Sequence, residues 1–257
     1  MKYPSNTFTQ ALKNGQKQVG LWISLRSNFA AKVVSNSGYD WLLVDMEHNP
    51  NDLSTVLTQL DAIEAGGSAA IVRPPWNDMV EVKRLMDTGA PGLLFPMIQS
   101  VEEAESAVAA TRYPPRGVRG VTGTSRANDF GRIKDYYQRV EEETAVIIQL
   151  ETRAAVENAV SIGSVDGVTG VFFGPADIAA DIGKLGQPLC DEVWEVIMPA
   201  AKALMAKGIP VGTLVADVDF AARLFEDGFS FIAVGSDLGL LISGADNLMA
   251  SVKEKMS

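Results

Sequence analysis

The sequence predicts an α/β fold, a (β/α)8 TIM barrel formed by residues 1–257 as a single domain. Three observations lead there. Short β-branched or apolar runs alternate from end to end with longer stretches of helical spacing, the signature of βα units around a parallel sheet. Eight such units can be counted, and 257 residues is close to the usual length of one such barrel. The runs are also nearly continuous in hydrophobicity, as expected for strands covered on both faces.

The first strand is expected at 19–24 and the second at 41–45, just after Gly38-Tyr39. Asp52 heads a helix over 52–65, in which Leu53, Val56, Leu57, Leu60 and Ile63 recur at helical spacing behind a capping carboxylate. The third strand, 69–73, is closed by Pro74-Pro75, and a helix over 78–88 runs into Gly89-Ala90. The fourth strand spans 92–96 and its helix 101–111. The segment 112–143 breaks the rhythm. It holds Pro114-Pro115, Gly117, Gly120 and Gly123, and a connection of that length is expected to be a functional loop, here a roof over the site. Strands at 145–150 and 170–173 flank a helix at 154–162, and helices at 191–207 and 217–227 bracket a seventh strand at 210–213. Gly228-Phe229 leads to the eighth strand, 231–234. The glycines at 38, 89 and 228 stand where helices stop in a left-handed residue. The C-terminal stretch 238–256 is apolar on one face through Leu241, Ile242, Leu248 and Val252, which suits packing on its own barrel or on a neighbouring subunit.

Apolar residues make up 47% of the chain and charged residues 21%, the profile of a globular protein. The formal charge is -10 and the lysines and arginines are scattered, which argues against nucleic acid or an anionic membrane as partner and for small metabolites. The single cysteine, Cys190, excludes an intrachain disulfide and a thiolate metal cluster. The N-terminus has no apolar secretory core and no run reaches membrane-spanning length, so a cytoplasmic enzyme is expected.

In such a barrel the active site lies at the C-terminal ends of the strands, so polar residues there carry the functional reading. Strand two ends in Asp45, Glu47 and His48, strand three in Arg73, and strand five in Gln149 and Glu151; strand six runs into Gly174, Pro175, Ala176 and Asp177. Glu151 and Asp177 come from adjacent strands without cysteine or histidine company, an oxygen-only pair suited to Mg2+ or Mn2+ with water and substrate completing the shell. Each carboxylate alone would equally serve as an acidic residue at a helix start; their joint placement favours a metal. His48 is the only histidine, and its ordinary pKa near neutrality suits a general base, with Asp45 or Asp87 available to orient the ring. The competing reading is a surface histidine ahead of Asn49-Pro50. Arg73 can present its guanidinium fork to a carboxylate or a developing enolate oxygen, or form an internal ion pair with Asp45 or Glu47. No lysine stands at a predicted strand end, which removes the nucleophile of an imine-forming aldolase, and no glycine-rich phosphate cradle is present.

GYDWLLVDMEHNPND at 38–52, VRPPWND at 72–78, RYPPRGVRGV at 112–121, IQLET at 148–152 and GVFFGPADIAADIG at 170–183 together resemble the HpcH/HpaI aldolases. These are class II pyruvate aldolases of the phosphoenolpyruvate/pyruvate barrel superfamily, and the resemblance covers nearly the whole chain. It implies that Glu151 and Asp177 bind a divalent metal (Mg2+, Mn2+ or Co2+), that Arg73 holds the pyruvate oxygen and stabilises the enolate, and that His48 is the acid/base. Asp45 and Asp87 match positions that hold the histidine, the second reaching in from a neighbouring subunit. Gln149, Gly174, Pro175, Ala176 and Asp177 would line the pyruvate pocket and Leu214 the aldehyde side. The implied reaction is reversible cleavage of a 4-hydroxy-2-oxo acid to pyruvate and an aldehyde, in a hexamer built as a trimer of dimers.

A citrate-lyase-type or malyl-CoA-type lyase is the nearest rival, but it must hold an adenine nucleotide, for which the chain has no basic patch. A noncatalytic metabolite-binding barrel is opposed by the combined presence of His48, Arg73, Glu151 and Asp177, and an isomerase by the missing phosphate cradle.

Overall fold

In the computed structural model, which describes residues 1–256, the chain opens with α1 (Thr7–Lys13), β1 (Gln18–Ile23), α2 (Asn28–Ser35), β2 (Trp41–Asp45), α3 (Leu53–Glu64), β3 (Ala69–Arg73) and α4 (Met79–Asp87). It continues through β4 (Gly92–Phe95), α5 (Val101–Thr111), a 3-10 turn (Arg126–Gly131), α6 (Tyr136–Glu143), β5 (Ala145–Leu150), α7 (Arg153–Glu157) and α8 (Ala159–Gly163). The last third holds β6 (Gly170–Phe173), α9 (Pro175–Asp181), α10 (Asp191–Ala206), β7 (Val211–Leu214), α11 (Val218–Glu226), β8 (Phe231–Ser236) and α12 (Asp237–Met256). The strands pair in parallel in chain order, and β8 closes on β1. The eight expected strands are therefore present, shifted at their ends by a residue or two.

Strand side chains alternate between two layers because their period is two. Leu42, Val44, Val72, Ile148 and Phe173 point outward, into the apolar layer under the helices. Trp22, Trp41, Leu43, Ile71, Ile147, Phe172 and Phe231 fill the lumen. Gly20 and Gly212 make room for this aromatic filling: a Cβ on either would fall within 2.1 Å of Trp41 and 2.3 Å of Phe231 respectively. The lumen is plugged from below by α1, a short helix that the sequence pattern does not signal. Asn6 caps it by accepting from the N–H groups of Phe8 and Thr9, and Phe8 packs edge-on against Trp41 and Phe231 at 5.8 and 5.4 Å between centroids.

The three glycine stops are left-handed, with φ of +90° at Gly38, +87° at Gly89 and +107° at Gly228. The expected helix at 154–162 is broken into α7 and α8 at Asn158. The larger correction concerns 112–143. The N–H of Val118 donates to Ala109 O, and Arg126 reaches Thr88 O at 2.9 Å and Glu64 at 3.0 Å, while Tyr3 N–H donates to Asp135 at 2.9 Å. These partners lie at the ends of α3, α4 and α5 and at the N-terminus. Helices that return antiparallel to the strands end where strands begin, so the segment crosses the closed lower end and flank of the barrel. It does not roof the site.

Only Asp237 of α12 is buried. Leu240, Leu241, Ile242, Leu248, Met249 and Val252 are all exposed. Of the two packings open to this stretch, its own barrel is therefore not the one adopted beyond the first turn.

Candidate active site

Strand parity places the site. On β2, Asp45 follows Trp41 and Leu43 in the lumen-facing series, and on β3 Arg73 follows Ala69 and Ile71. On β5, Gln149 follows Ala145 and Ile147, with Glu151 next in the series. The lumen is apolar up to the last rung, and at the mouth it becomes charged.

Arg73 is almost fully buried. Its Nε donates to Asp45 Oδ1 at 2.8 Å, its Nη1 lies 2.8 Å from Glu47 Oε2, and its Cζ sits 5.4 Å from the centre of the Trp22 ring. Burial opposes its charge, but Asp45, Glu47 and Glu151 more than offset this and raise its pKa, so it stays a cation. The internal ion pair and the site position are thus the same arrangement. Glu47 belongs to the site: burial raises its pKa against the opposing pull of Arg73, with Asp45 and Asp177 adding to the rise.

Glu151 is buried, and its Oε2 accepts the N–H of Met97 at 2.8 Å while Gln149 Nε2 donates to Oε1. Burial first, then the charges of Glu47 and Asp177, push its pKa up to about 8, against the lowering effects of the Met97 N–H and Arg73. Met97 itself holds a left-handed φ of +53°, a strained conformation for an unbranched side chain, and its N–H is thereby aimed at the carboxylate. Nothing in the residue type signals that role. Gly174 closes the other side: a Cβ there would lie 2.8 Å from Glu151 Oε1. After Gly174, Pro175 opens α9 and no side chain caps its first turn, which leaves Ala176 and Asp177 exposed at the mouth. Leu214, half-buried, ends β7 on the same rim.

Four carboxylates, of Asp45, Glu47, Glu151 and Asp177, therefore share this mouth with one guanidinium. Among the described residues no three His, Cys, Asp or Glu side chains form a ready metal cage. The donor set nevertheless fits a hard divalent cation. Glu151 and Asp177 supply two oxygens, the excess negative charge that raises Glu151 would be offset, and the remaining positions are left to water and substrate, as such ions prefer. The missing Cβ of Gly174 lets the Glu151 carboxylate pack directly against the backbone there.

His48 lies at the surface, as the competing reading has it, beside Glu47. It is 63% exposed, and its Nε2 lies 3.8 Å from Glu47 Oε2. Asp45 does not hold it: Oδ1 is taken by Arg73 and the Glu47 N–H, and Oδ2 by Asn49. Asp87 ends α4, away from His48 in this chain, and binds Arg119 at 2.9 Å. A cavity of about 550 Å³ lies at the barrel's opposite end between residues 1–7 and the starts of β3 and β4. It contains none of the residues at the mouth, and chemistry rather than volume locates the site.

A closed parallel barrel with charged groups gathered at the strand ends defines the class, a (β/α)8 barrel enzyme. The model of the HpcH/HpaI aldolase/citrate lyase family matches residues 18–244, and the chain belongs to that family. It is a carbon–carbon lyase of the aldolase type. A 4-hydroxy-2-oxo-heptane-1,7-dioate aldolase of Salmonella newport (strain SL254) is 47% identical over 255 residues, which cover 98% of this chain and 97% of the relative. The crystal structure of a family protein from Burkholderia cenocepacia J2315 is 37% identical with a TM-score of 0.93, covering 97% of this chain and 100% of the other. That of a HpcH/HpaI aldolase from Desulfitobacterium hafniense DCB-2 is 29% identical with a TM-score of 0.88, covering 95% and 96%.

Proposed function

We propose that the chain is a divalent-metal-dependent class II aldolase that reversibly cleaves a 4-hydroxy-2-oxo acid to pyruvate and an aldehyde, with 4-hydroxy-2-oxo-heptane-1,7-dioate the first substrate to test. The observation that carries this reading is the gathering of Glu151 and Asp177 with Arg73 at the mouth, with more negative charge than one guanidinium offsets. Glu151 and Asp177 hold the cation, Mg2+, Mn2+ or Co2+. When bound, it supplies Lewis-acid polarisation of the 2-oxo group.

The chain's own residues do the rest. The uncapped first turn of α9, at Ala176 and Asp177, offers backbone N–H groups to the substrate carboxylate beside Gly174 and Pro175, and Gln149 lines the pocket. His48 removes the proton from the 4-hydroxyl, the C3–C4 bond breaks as the aldehyde carbonyl forms, and the bond's electron pair passes into the enolate of pyruvate. Arg73, locked by Asp45 and Glu47, stands where charge develops on the enolate oxygen. Leu214 shapes the aldehyde side.

The uncovered α12 supports a homo-oligomer; a hexamer arranged as a trimer of dimers, in which Asp87 of one copy orients the exposed His48 of another, is what the family resemblance implies. The partners are small acids and aldehydes, with neither nucleic acid nor membrane involved; no helix of the described residues is long and apolar enough to cross a bilayer. A cytoplasmic location belongs to the same reading. Pyruvate release from the heptanedioate substrate, followed after chelation and after re-addition of each metal, tests the proposal. Loss on chelation and recovery with metal is expected; full activity in rigorously stripped protein would overturn it.

A further inference from the structure

Arg119 is the most thoroughly buried charge outside the site: its side chain is 0% exposed. It stands in the segment that was expected to roof the mouth and instead lies against the barrel's flank. Its backbone N–H donates to Arg112 O at 2.9 Å, which pins it to the end of α5. Its guanidinium lies over Tyr113, 4.6 Å from the ring centre, and 5.9 Å from that of Tyr136. Only Nη2 is satisfied, donating to Asp87 Oδ1 and Tyr136 OH at 2.9 Å each, while Nε and Nη1 have no partner among the described residues.

Burying a cation with so few hydrogen bonds costs more than an apolar side chain of the same volume would. A buried pair of this kind is weak evidence of a stabilising role; what the hydrogen bond does for Asp87 is the effect on which the geometry bears. Asp87 is the last residue of α4, where a carboxylate faces the negative end of the helix dipole. Arg119 offsets that field and fixes one oxygen, and among the described residues Oδ2 accepts no hydrogen bond. Val80 lies two turns back on the same side of α4, and Val80, Val118 and Val121 are all exposed. The loop runs along that side, with the Gly120 Cβ position 3.1 Å from Lys83 Cδ.

We infer that Arg119 is a positioning residue that acts on the chemistry of a second copy of the chain, by clamping one oxygen of Asp87 so that the other is presented to that copy's His48. This rests on the reading above that Asp87 serves a neighbour. Arg119 touches neither substrate nor metal.

The test is a double-mutant cycle on the assembled enzyme with complementation between chains. Arg119→Met should lower kcat about tenfold or more while KM for the 2-oxo acid stays within about twofold, and should add nothing in an Asp87→Asn background. Arg119→Lys, which keeps the charge and one donor, should recover part of the loss. Coexpressed with His48→Asn chains, Arg119→Met or Arg119→Lys chains should regain activity above either parent, because their own His48 then meets an intact Asp87–Arg119 pair from the other chain. Additive losses in the cycle, or no complementation by either variant, would overturn the role of Arg119. The pair Asp87→Asn with His48→Asn separates the two ideas: if that pair fails to complement, the reading of Asp87 itself falls, and if it complements while the Arg119 variants do not, only the Arg119 inference falls.

Discussion

Asp45 and Arg73 are register partners on the last rung shared by β2 and β3, and the arginine Nε donates to the aspartate Oδ1 at 2.8 Å. Neighbouring strand ends thus hold the guanidinium at a fixed place over the lumen before any substrate arrives, and Glu47 holds its Nη1 edge. A cation fixed in advance at the position of a developing oxyanion costs no reorganisation during reaction.

Replacing it should therefore damage turnover far more than metal binding. Arg73→Ala is expected to reduce kcat by about 10²–10³-fold, the usual effect of losing one oxyanion-stabilising group. Mg2+ affinity, followed by calorimetry, should change much less. Near-normal turnover combined with altered metal affinity would make Arg73 a structural ion-pair partner only.

The pKa of Glu151 sets a pH dependence. In the metal-free protein burial and the charges of Glu47 and Asp177 push it up to about 8. The folded state then keeps a proton that the unfolded chain has already lost above about pH 4. This stabilising contribution is complete below the unfolded pKa and is lost progressively as pH rises through the folded value. The Tm of stripped protein should fall between about pH 5 and about pH 8, and saturating Mg2+ should flatten that slope. Metal uptake near pH 6 should release about one proton, measurable by titration in buffers of different ionisation enthalpy. A flat Tm profile together with no proton release would contradict the assignment of Glu151.

Gly174 should be intolerant of even one methyl group. A Cβ there would lie 2.8 Å from Glu151 Oε1 and 2.9 Å from its Cγ, so the carboxylate must turn away. Gly174→Ala is expected to weaken metal binding about tenfold or more while leaving circular dichroism unchanged, since losing even a supporting partner of a metal ligand typically costs about 10–100-fold in affinity. Wild-type affinity would show that Glu151 is free to move without consequence.

The uncovered face of α12 calls for a partner surface. Replacing Leu241 and Leu248 together with lysine should lower the assembly mass seen by sedimentation and, through loss of the neighbouring Asp87, reduce kcat. An unchanged mass would place the contacts between copies elsewhere.

How far the site was legible depended on the residue. Asp45, Arg73, Gln149 and Glu151 stand out in the sequence because they end apolar runs, and counting back in twos from each already places them on the lumen face. Glu47 is legible as a strand-end residue, with its hold on Arg73 only one of two alternatives, and Met97 is not legible as a site residue at all. The first sits two positions past its strand and enters through its contact with Arg73; the second acts through a backbone N–H that its side chain does not advertise. For His48, Asp45, one of the two carboxylates offered to orient it, is already engaged by Arg73, the Glu47 N–H and Asn49.

By itself, then, the sequence determined the eight strands, most of the helices between them and the end of the barrel at which chemistry gathers. Local periodicity and left-handed glycine stops report which face of each element is buried, and those are short-range properties. Tertiary structure alone decided that 112–143 runs beneath the barrel, that Arg119 rather than His48 meets Asp87 within one chain, and that α12 leaves its own barrel uncovered. Each of these is a meeting between groups far apart in the chain, made by the closing of the sheet, and no pattern of neighbouring residues encodes which distant group will be there.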